Sequence, residues 1–158
     1  MALTACGSEN SGTFTTEDGE TGEYTIDQDS GAASMTIDTP DGEVSMRSGA
    51  AVDVDLPDGF TIVEGAEVLS TTIIDQADSK GALVTFNTDR TPDQVVEHFR
   101  AQAEAAGIDI QIETSINGGR MLGGESPSGT TFSITAYPAG ENGDGRTNGQ
   151  LVLAKGGS

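Results

Sequence analysis

The chain has 158 residues, and its 26 acidic against 7 basic side chains give a formal charge of -19, a balance that argues against nucleic acid and anionic lipid head groups as partners. A hydrophobic fraction of 34% with 4% aromatic residues and no Trp allows one ordinary domain with a thin aliphatic core, and twenty-two glycines against five prolines point to the tight turns of a β-rich protein. No stretch approaches ~18 consecutive apolar residues, as a membrane-spanning helix needs, and a lone cysteine excludes an internal disulfide.

At the start of the chain, Leu3-Thr4-Ala5-Cys6 followed by Gly7 and Ser8 resembles the lipobox of bacterial lipoprotein precursors. The resemblance implies a diacylglyceryl thioether on the Cys6 thiol, a signal-peptidase pocket filled by Thr4 and Ala5, and Cys6 as the mature N-terminus. Only Met1 to Ala5 precede the cysteine, short of the basic and apolar regions of an export signal. Either the start is trimmed or misassigned, or the match is chance. A truncated signal is the expectation, because the cysteine is single and terminal and the polar run Gly7-Ser8-Glu9-Asn10-Ser11-Gly12 would serve as a flexible tether. Lipoproteins of this kind carry three acyl chains, and since two membrane signals already give stable anchoring, attachment would be permanent. Gly7 in place of Asp is the usual mark of Gram-negative lipoproteins sorted to the outer membrane. The resemblance thus implies a protein of the cell envelope, lipid-anchored on the periplasmic or surface face.

From Thr13 to Arg47, short alternating segments recur about every ten residues, the spacing of an antiparallel meander. They read Thr13-Phe14-Thr15, Glu23 to Asp27, Ser34 to Asp38 and Glu43 to Arg47, with turns at Asp18-Gly19, Asp29-Ser30-Gly31 and Asp41-Gly42. Period-two alternation puts Phe14, Tyr24, Ile26, Met35, Ile37, Val44 and Met46 on one face and Thr, Ser, Asp and Glu on the other. Such a face is one half of a sandwich and should pack on the C-terminal part or on a partner, the meander packing against the helix-covered sheet or extending it.

After a break at Ser48-Gly49-Ala50 and an extended lead-in to Phe60, strands are expected over Val68 to Ile74 and Ala82 to Thr88, joined by the longer polar loop Asp75 to Gly81. A helix follows over Pro92 to Ala106. Thr91 caps it, Pro92 takes the first position, Gln94 completes a capping box, and Gly107 stops it. Its stripe of Val95, Val96, Phe99, Ala103 and Ala106 should lie closely on a sheet. Ile108 to Glu113 alternates as a strand buried on one face, Gly118 to Gly124 is a short glycine-bounded strand, and further strands run over Thr130 to Tyr137 and Gln150 to Lys155.

Leu56-Pro57-Asp58-Gly59-Phe60, Glu64-Gly65-Ala66-Glu67-Val68 and Thr91-Pro92-Asp93-Gln94-Val95-Val96-Glu97-His98-Phe99 with Ala106-Gly107 look like the corresponding runs of uncharacterised Gram-negative envelope lipoproteins. In those, a proline, glycine and alanine precede the first strand, and a helix opening on Thr or Ser and Pro ends in Ala-Gly. This chain departs from them at Glu64 for the proline and at His98-Phe99 for Phe-Tyr. The resemblance covers roughly the C-terminal two thirds and implies no activity.

Signals of catalysis are weak. His98 is the single histidine and sits at the edge of the helix stripe as a boundary residue, so no His-rich metal site or Cys–His pair can form within this chain. No G-x-S-x-G elbow and no G-x-x-x-x-G-K-[ST] loop occurs, and hairpin turns account for Gly118-Gly119 and Gly123-Gly124. Asn142-Gly143-Asp144-Gly145, and Asp75 with Asp78, place oxygen ligands on glycine-containing loops as Ca²⁺ sites do, without matching an EF-hand; ordinary Asx turns are the simpler explanation.

The sequence therefore predicts an α+β fold: an N-terminal antiparallel β-meander followed by an antiparallel sheet with one covering helix, in the order β-β-α-β-β-β. The expected division is 1–12 for residual signal peptide, lipobox and tether, 13–49 for the meander and 50–156 for the α+β module. The expected role is a non-enzymatic, cofactor-free lipid-anchored envelope protein, lipidated at Cys6, held to the membrane through that anchor and serving as a structural or protein- or polymer-binding module. The alternative is a Ca²⁺-binding surface module, with Asp75, Asp78, Asn142 and Asp144 as its weak candidates.

Overall fold

Alternation and turn chemistry build strands along nearly the whole chain. The computed structural model describes residues 9–27, 32–40, 42–48, 56, 59–140 and 145–156. Their strands are β1 (Glu9–Thr15), β2 (Thr21–Asp27), β3 (Ala33–Thr39), β4 (Gly42–Ser48), β5 (Glu67–Gln76), β6 (Ser79–Thr88), β7 (Asp109–Ile116), β8 (Gly119–Glu125), β9 (Thr130–Pro138) and β10 (Thr147–Gly156), with helix α1 (Pro92–Ala105) between β6 and β7. All ten strands form one antiparallel sheet in the order β1-β2-β3-β4-β5-β6-β10-β9-β8-β7.

This corrects the α+β expectation. The protein is nearly all sheet, and four strands rather than three follow the helix, so the order β-β-α-β-β-β does not describe it. Of the two arrangements open to the meander, packing against the helix-covered sheet or extending it, the second is found: β4 pairs with β5 through Val44 opposite Ile74 and Met46 opposite Thr72, so the meander continues the C-terminal sheet edge to edge. Alternation in sequence states that one face is apolar but not whether that face stacks on another layer. The unpaired backbone edge of β4 is satisfied by β5, and that pairing fixes the arrangement.

The helix forms as its signals predict. Thr91 Oγ1 accepts the Gln94 backbone N–H at 3.2 Å, and Gln94 Oε1 accepts the Thr91 N–H at 3.1 Å, a complete capping box. Ala106 is the C-cap, and Gly107 turns the chain at φ +78°, where a side chain would be strained. Val95, Val96, Phe99 and Ala103 are buried. They face Phe86 and Val84 of β6, Leu151 and Leu153 of β10, Phe132, Ile134 and Ala136 of β9 and Leu122 of β8, all in one core. Phe86 and Phe99 meet at 6.0 Å between ring centroids, and Phe60, from the segment before β5, stacks on Phe132 at 5.6 Å.

A helix of 14 residues is about 21 Å long, enough to cross about four strands spaced at about 4.8 Å. It packs on β7, β8, β9 and β10, and β1 to β4 make their extensive contacts with neighbouring strands alone.

Several local expectations also change. β1 begins at Glu9, so the expected tether from Glu9 to Gly12 is paired with β2. The loop expected over Asp75 to Gly81 is a two-residue turn, Ala77-Asp78, because Gln76 already pairs with Ser79. β10 starts at Thr147 rather than Gln150. Gly118 does make a turn, with Asn117 at φ +53° and Gly118 at φ +80° as an Asn-Gly hairpin requires. Gly123 and Gly124 instead lie inside β8, where a Cβ on Gly124 would collide with the backbone of Asp109 and Ile110. A bulge between Ile110 and Ile112 breaks the alternation expected of β7, so Ile108 is buried while Ile112 is 53% exposed.

Candidate binding face

Directly paired residues of neighbouring strands point to the same side of a sheet, so the register sorts every strand residue to the helix side or the opposite, open side. One row crosses all ten strands on the open side: Gly12, Tyr24, Met35, Met46, Thr72, Leu83, Val152, Ser133, Gly123, Ile112. The next row runs Phe14, Gly22, Ile37, Val44, Ile74, Gly81, Ala154, Thr131, Glu125, Asp109, and a third continues from Ile26 through Ala33, Ser48, Ser70, Thr85, Gln150, Thr135 and Met121 to Thr114.

Two consequences follow. The seven apolar residues of the meander do share a face, as alternation predicts, but that face is the one turned away from α1. The apolar side of the sheet therefore changes at β5 and β6: the helix side is apolar over β6, β10, β9 and β8, whereas the open side is apolar over β1 to β5 and onto Leu83 and Val152. In addition, no side chain of these rows carries a charge over β1 to β6, β10 and β9, and Glu125 and Asp109 are charged at the far β8–β7 edge. The meander's acids Glu23, Asp38 and Glu43 alternate onto the helix side, with Asp75 beside them on β5.

Tyr24 is 39%, Ile26 43% and Met46 44% exposed, and Ile74, Leu83, Val152 and Tyr137 are also in water. The Phe14 ring lies over Gly22 and the Tyr24 ring over Gly12, so glycine on the neighbouring strand makes room for each aromatic side chain. Toward the β7 edge, Ile116, Met121, Thr135 and Tyr137 line a shallow depression of about 200 Å³ on the same side. Arg120 also lines that depression, but over β1 to β6 the rows present hydroxyls, methyls and rings, a surface that can bind by apolar burial.

The densest ion-pair cluster is on the helix side, and a second, smaller one joins Arg146 to Glu67 at 3.1 Å and to Asp89 at 3.3 Å. Arg100 Nη2 and Arg120 Nη2 both approach Glu113 Oε1 at 2.7 Å, Arg120 Nη1 donates to Asp93, and Arg100 Nε lies 3.2 Å from Glu97. The hydrogen bond from Arg100 holds the Glu113 carboxyl below the usual carboxylate range, Arg120 adds to this, and Glu113 in turn raises Arg100. This cluster fastens α1 to β7 and β8.

The sites singled out from sequence are not drawn together. Cys6, Asn142 and Asp144 lie outside the described residues. Asp75, on β5, is paired with Lys80 at 3.0 Å, and Asp78 sits at the turn beside Lys80 and Lys155, surroundings that oppose a cation. Among the described residues, no three or more His, Cys, Asp or Glu side chains gather as metal ligands. His98 is half-buried, edge-on to Phe99 at 5.1 Å, with Nε2 2.6 Å from Gln102 Nε2.

Sequence reading missed the C-terminal share of the open face. Its signal was present: in β6, putting Ala82, Val84 and Phe86 inward leaves Leu83 outward, and in β10 Leu151 and Leu153 do the same to Val152. The chain matches no model of a known protein family, no curated protein and no solved structure.

Proposed function

We propose that this is a non-enzymatic envelope protein, anchored by lipid on Cys6, whose working surface is the open apolar side of its sheet. One observation carries the binding role: in a chain of charge -19, Phe14, Tyr24, Ile26, Met35, Ile37, Val44, Met46, Ile74, Leu83 and Val152 share one side, while the neighbouring acids Glu23, Asp38, Glu43 and Asp75 take the other. Apolar area of this extent in water is costly and calls for a cover. The lipobox resemblance supports the anchor, and β1 starts three residues after Cys6, a reach of about 10 Å, so the sheet would stay close to the membrane.

The test has two arms. With an export signal restored, Cys6→Ser should move the protein from the membrane to the soluble fraction, and a photo-crosslinking side chain at position 46 should capture a bound molecule in cells while one at position 36, on the helix side, should not. An unmodified wild type that is already soluble removes the anchor. Equal capture at both positions removes the binding face.

A further inference from the structure

Resting on the reading of the open side as a binding surface, we infer that its occupant is a second copy of this chain, stacked open side to open side as the other layer of a β-sandwich. Three properties of the face select this occupant. The first is extent: β1 to β6 with β10 span seven strands of about 4.8 Å each, and the rows run about 20 Å along the strands, giving about 700 Å² in projection. An interface of standard size takes about 800 Å² of accessible surface from each partner, and a corrugated sheet has more accessible than projected area.

The second is charge. A heterologous partner that recognised this region electrostatically would meet its acids, but the four beside the patch, Glu23, Asp38, Glu43 and Asp75, alternate away from the open rows onto the helix side. Two copies stacked through the open side turn all four outward. Their separation across two sheets about 10 Å apart exceeds the Debye length of about 8 Å at physiological salt. The absence of charge also disfavours a membrane surface, since helices and patches that lie on lipid are bordered by Lys and Arg, and here Tyr24, Met35, Met46, Thr72 and Leu83 run without one.

The third is shape. A two-fold contact requires one patch complementary to itself, and two sheets meet that condition by packing aligned, with their strands about 30° apart. Side chains of unequal size meet along the row, with Thr72 between Met46 and Leu83, so a ridge of one copy can enter the gap of the other.

Sedimentation velocity of the 158-residue chain over about 1 to 200 μM should show the 16.1 kDa species giving way to one of twice that mass. A wild type that stays monomeric throughout overturns the proposal. Met46→Glu and Leu83→Glu each place a carboxylate in the central row and should weaken association at least about 100-fold. Thr36→Glu, next to Met35 on the helix side of β3, should leave it unchanged. Leu83 lies outside the meander, on a strand whose other face is core, so a folded Leu83→Glu keeps the test valid even where Met46→Glu unfolds. Dimers that persist in a folded Leu83→Glu would place the contact at a sheet edge and overturn the proposal. A monomer that floats with phosphatidylcholine vesicles also overturns it, while leaving the open side as a binding surface; capture of another protein at position 46 would do the same.

Discussion

Gln102 grips the backbone of Thr61 by both of its polar groups: Oε1 accepts the Thr61 N–H at 2.6 Å and Nε2 donates to the Thr61 carbonyl at 3.1 Å. With Oε1 committed to an N–H, the amide orientation is fixed. His98 Nε2 lies at the same place, 2.6 Å from Gln102 Nε2 and 3.1 Å from the Thr61 carbonyl oxygen. This contact ties the segment bearing Phe60 and Val63, both buried, to the second half of α1.

Removing that grip should loosen the segment. Gln102→Ala is expected to cost about 1–2 kcal/mol, since two hydrogen bonds go and Phe60 loses the tether that presses it on Phe132. His98→Ala should cost about 1 kcal/mol rather than the near-zero value of a boundary residue, because its ring packs edge-on to Phe99 and its Nε2 meets the Thr61 and Gln102 pair. Urea titration of both variants measures this. A Gln102→Ala protein as stable as wild type would mean the contact holds nothing.

Phe99, fully buried against Phe86, is the test of the helix stripe. Phe99→Ala should cost about 3–5 kcal/mol from lost burial and the cavity left behind. The same change at Tyr24, a ring on the open side, should cost the monomer far less. Chemical denaturation at low protein concentration distinguishes them, and equal losses would contradict the assignment of the two faces.

How far the fold could be read from the sequence divides along one physical line. The capping box at Thr91 and Gln94, the stop at Gly107 and the meander's shared face from Phe14 to Met46 follow from local geometry, and each stands in the structure. What failed depends on contacts between distant segments. Whether β4 stacks or pairs was decided by β5, more than twenty residues away, and the bulge that exposes Ile112 arises where β7 meets the close backbone of Gly124. The open face was half legible: its meander part came from alternation, while Leu83 and Val152 were hidden because β6 and β10 present apolar residues to both sides.

The Glu113 cluster makes stability depend on acid in a defined direction. The folded pKa of Glu113 is lowered from about 4.5, chiefly by the Arg100 hydrogen bond. A carboxyl lowered on folding stabilises fully above its unfolded pKa and loses that contribution as pH falls through the folded value. Wild type should therefore melt above Glu113→Gln at neutral pH, with the gap narrowing once pH drops below about 4.5. A gap unchanged down to strong acid would show that the two guanidiniums do not bind the charged form.

Acids dispersed over the surface act on the whole protein, and this separates screening from a specific cation site. Exposed pairs such as Asp75 with Lys80 contribute at most about 1 kcal/mol, so self-repulsion within a net charge of -19 should dominate the response to salt. Sodium chloride should then raise the melting temperature as the Debye length contracts. Calcium at matched ionic strength should add little beyond this, because Asp75 already holds Lys80, and Asp78 shares its surroundings with Lys80 and Lys155. Differential scanning fluorimetry across both titrations decides the matter. A saturable rise with micromolar calcium that Asp78→Asn or Asp144→Asn abolishes would show that a built site outweighs the diffuse field.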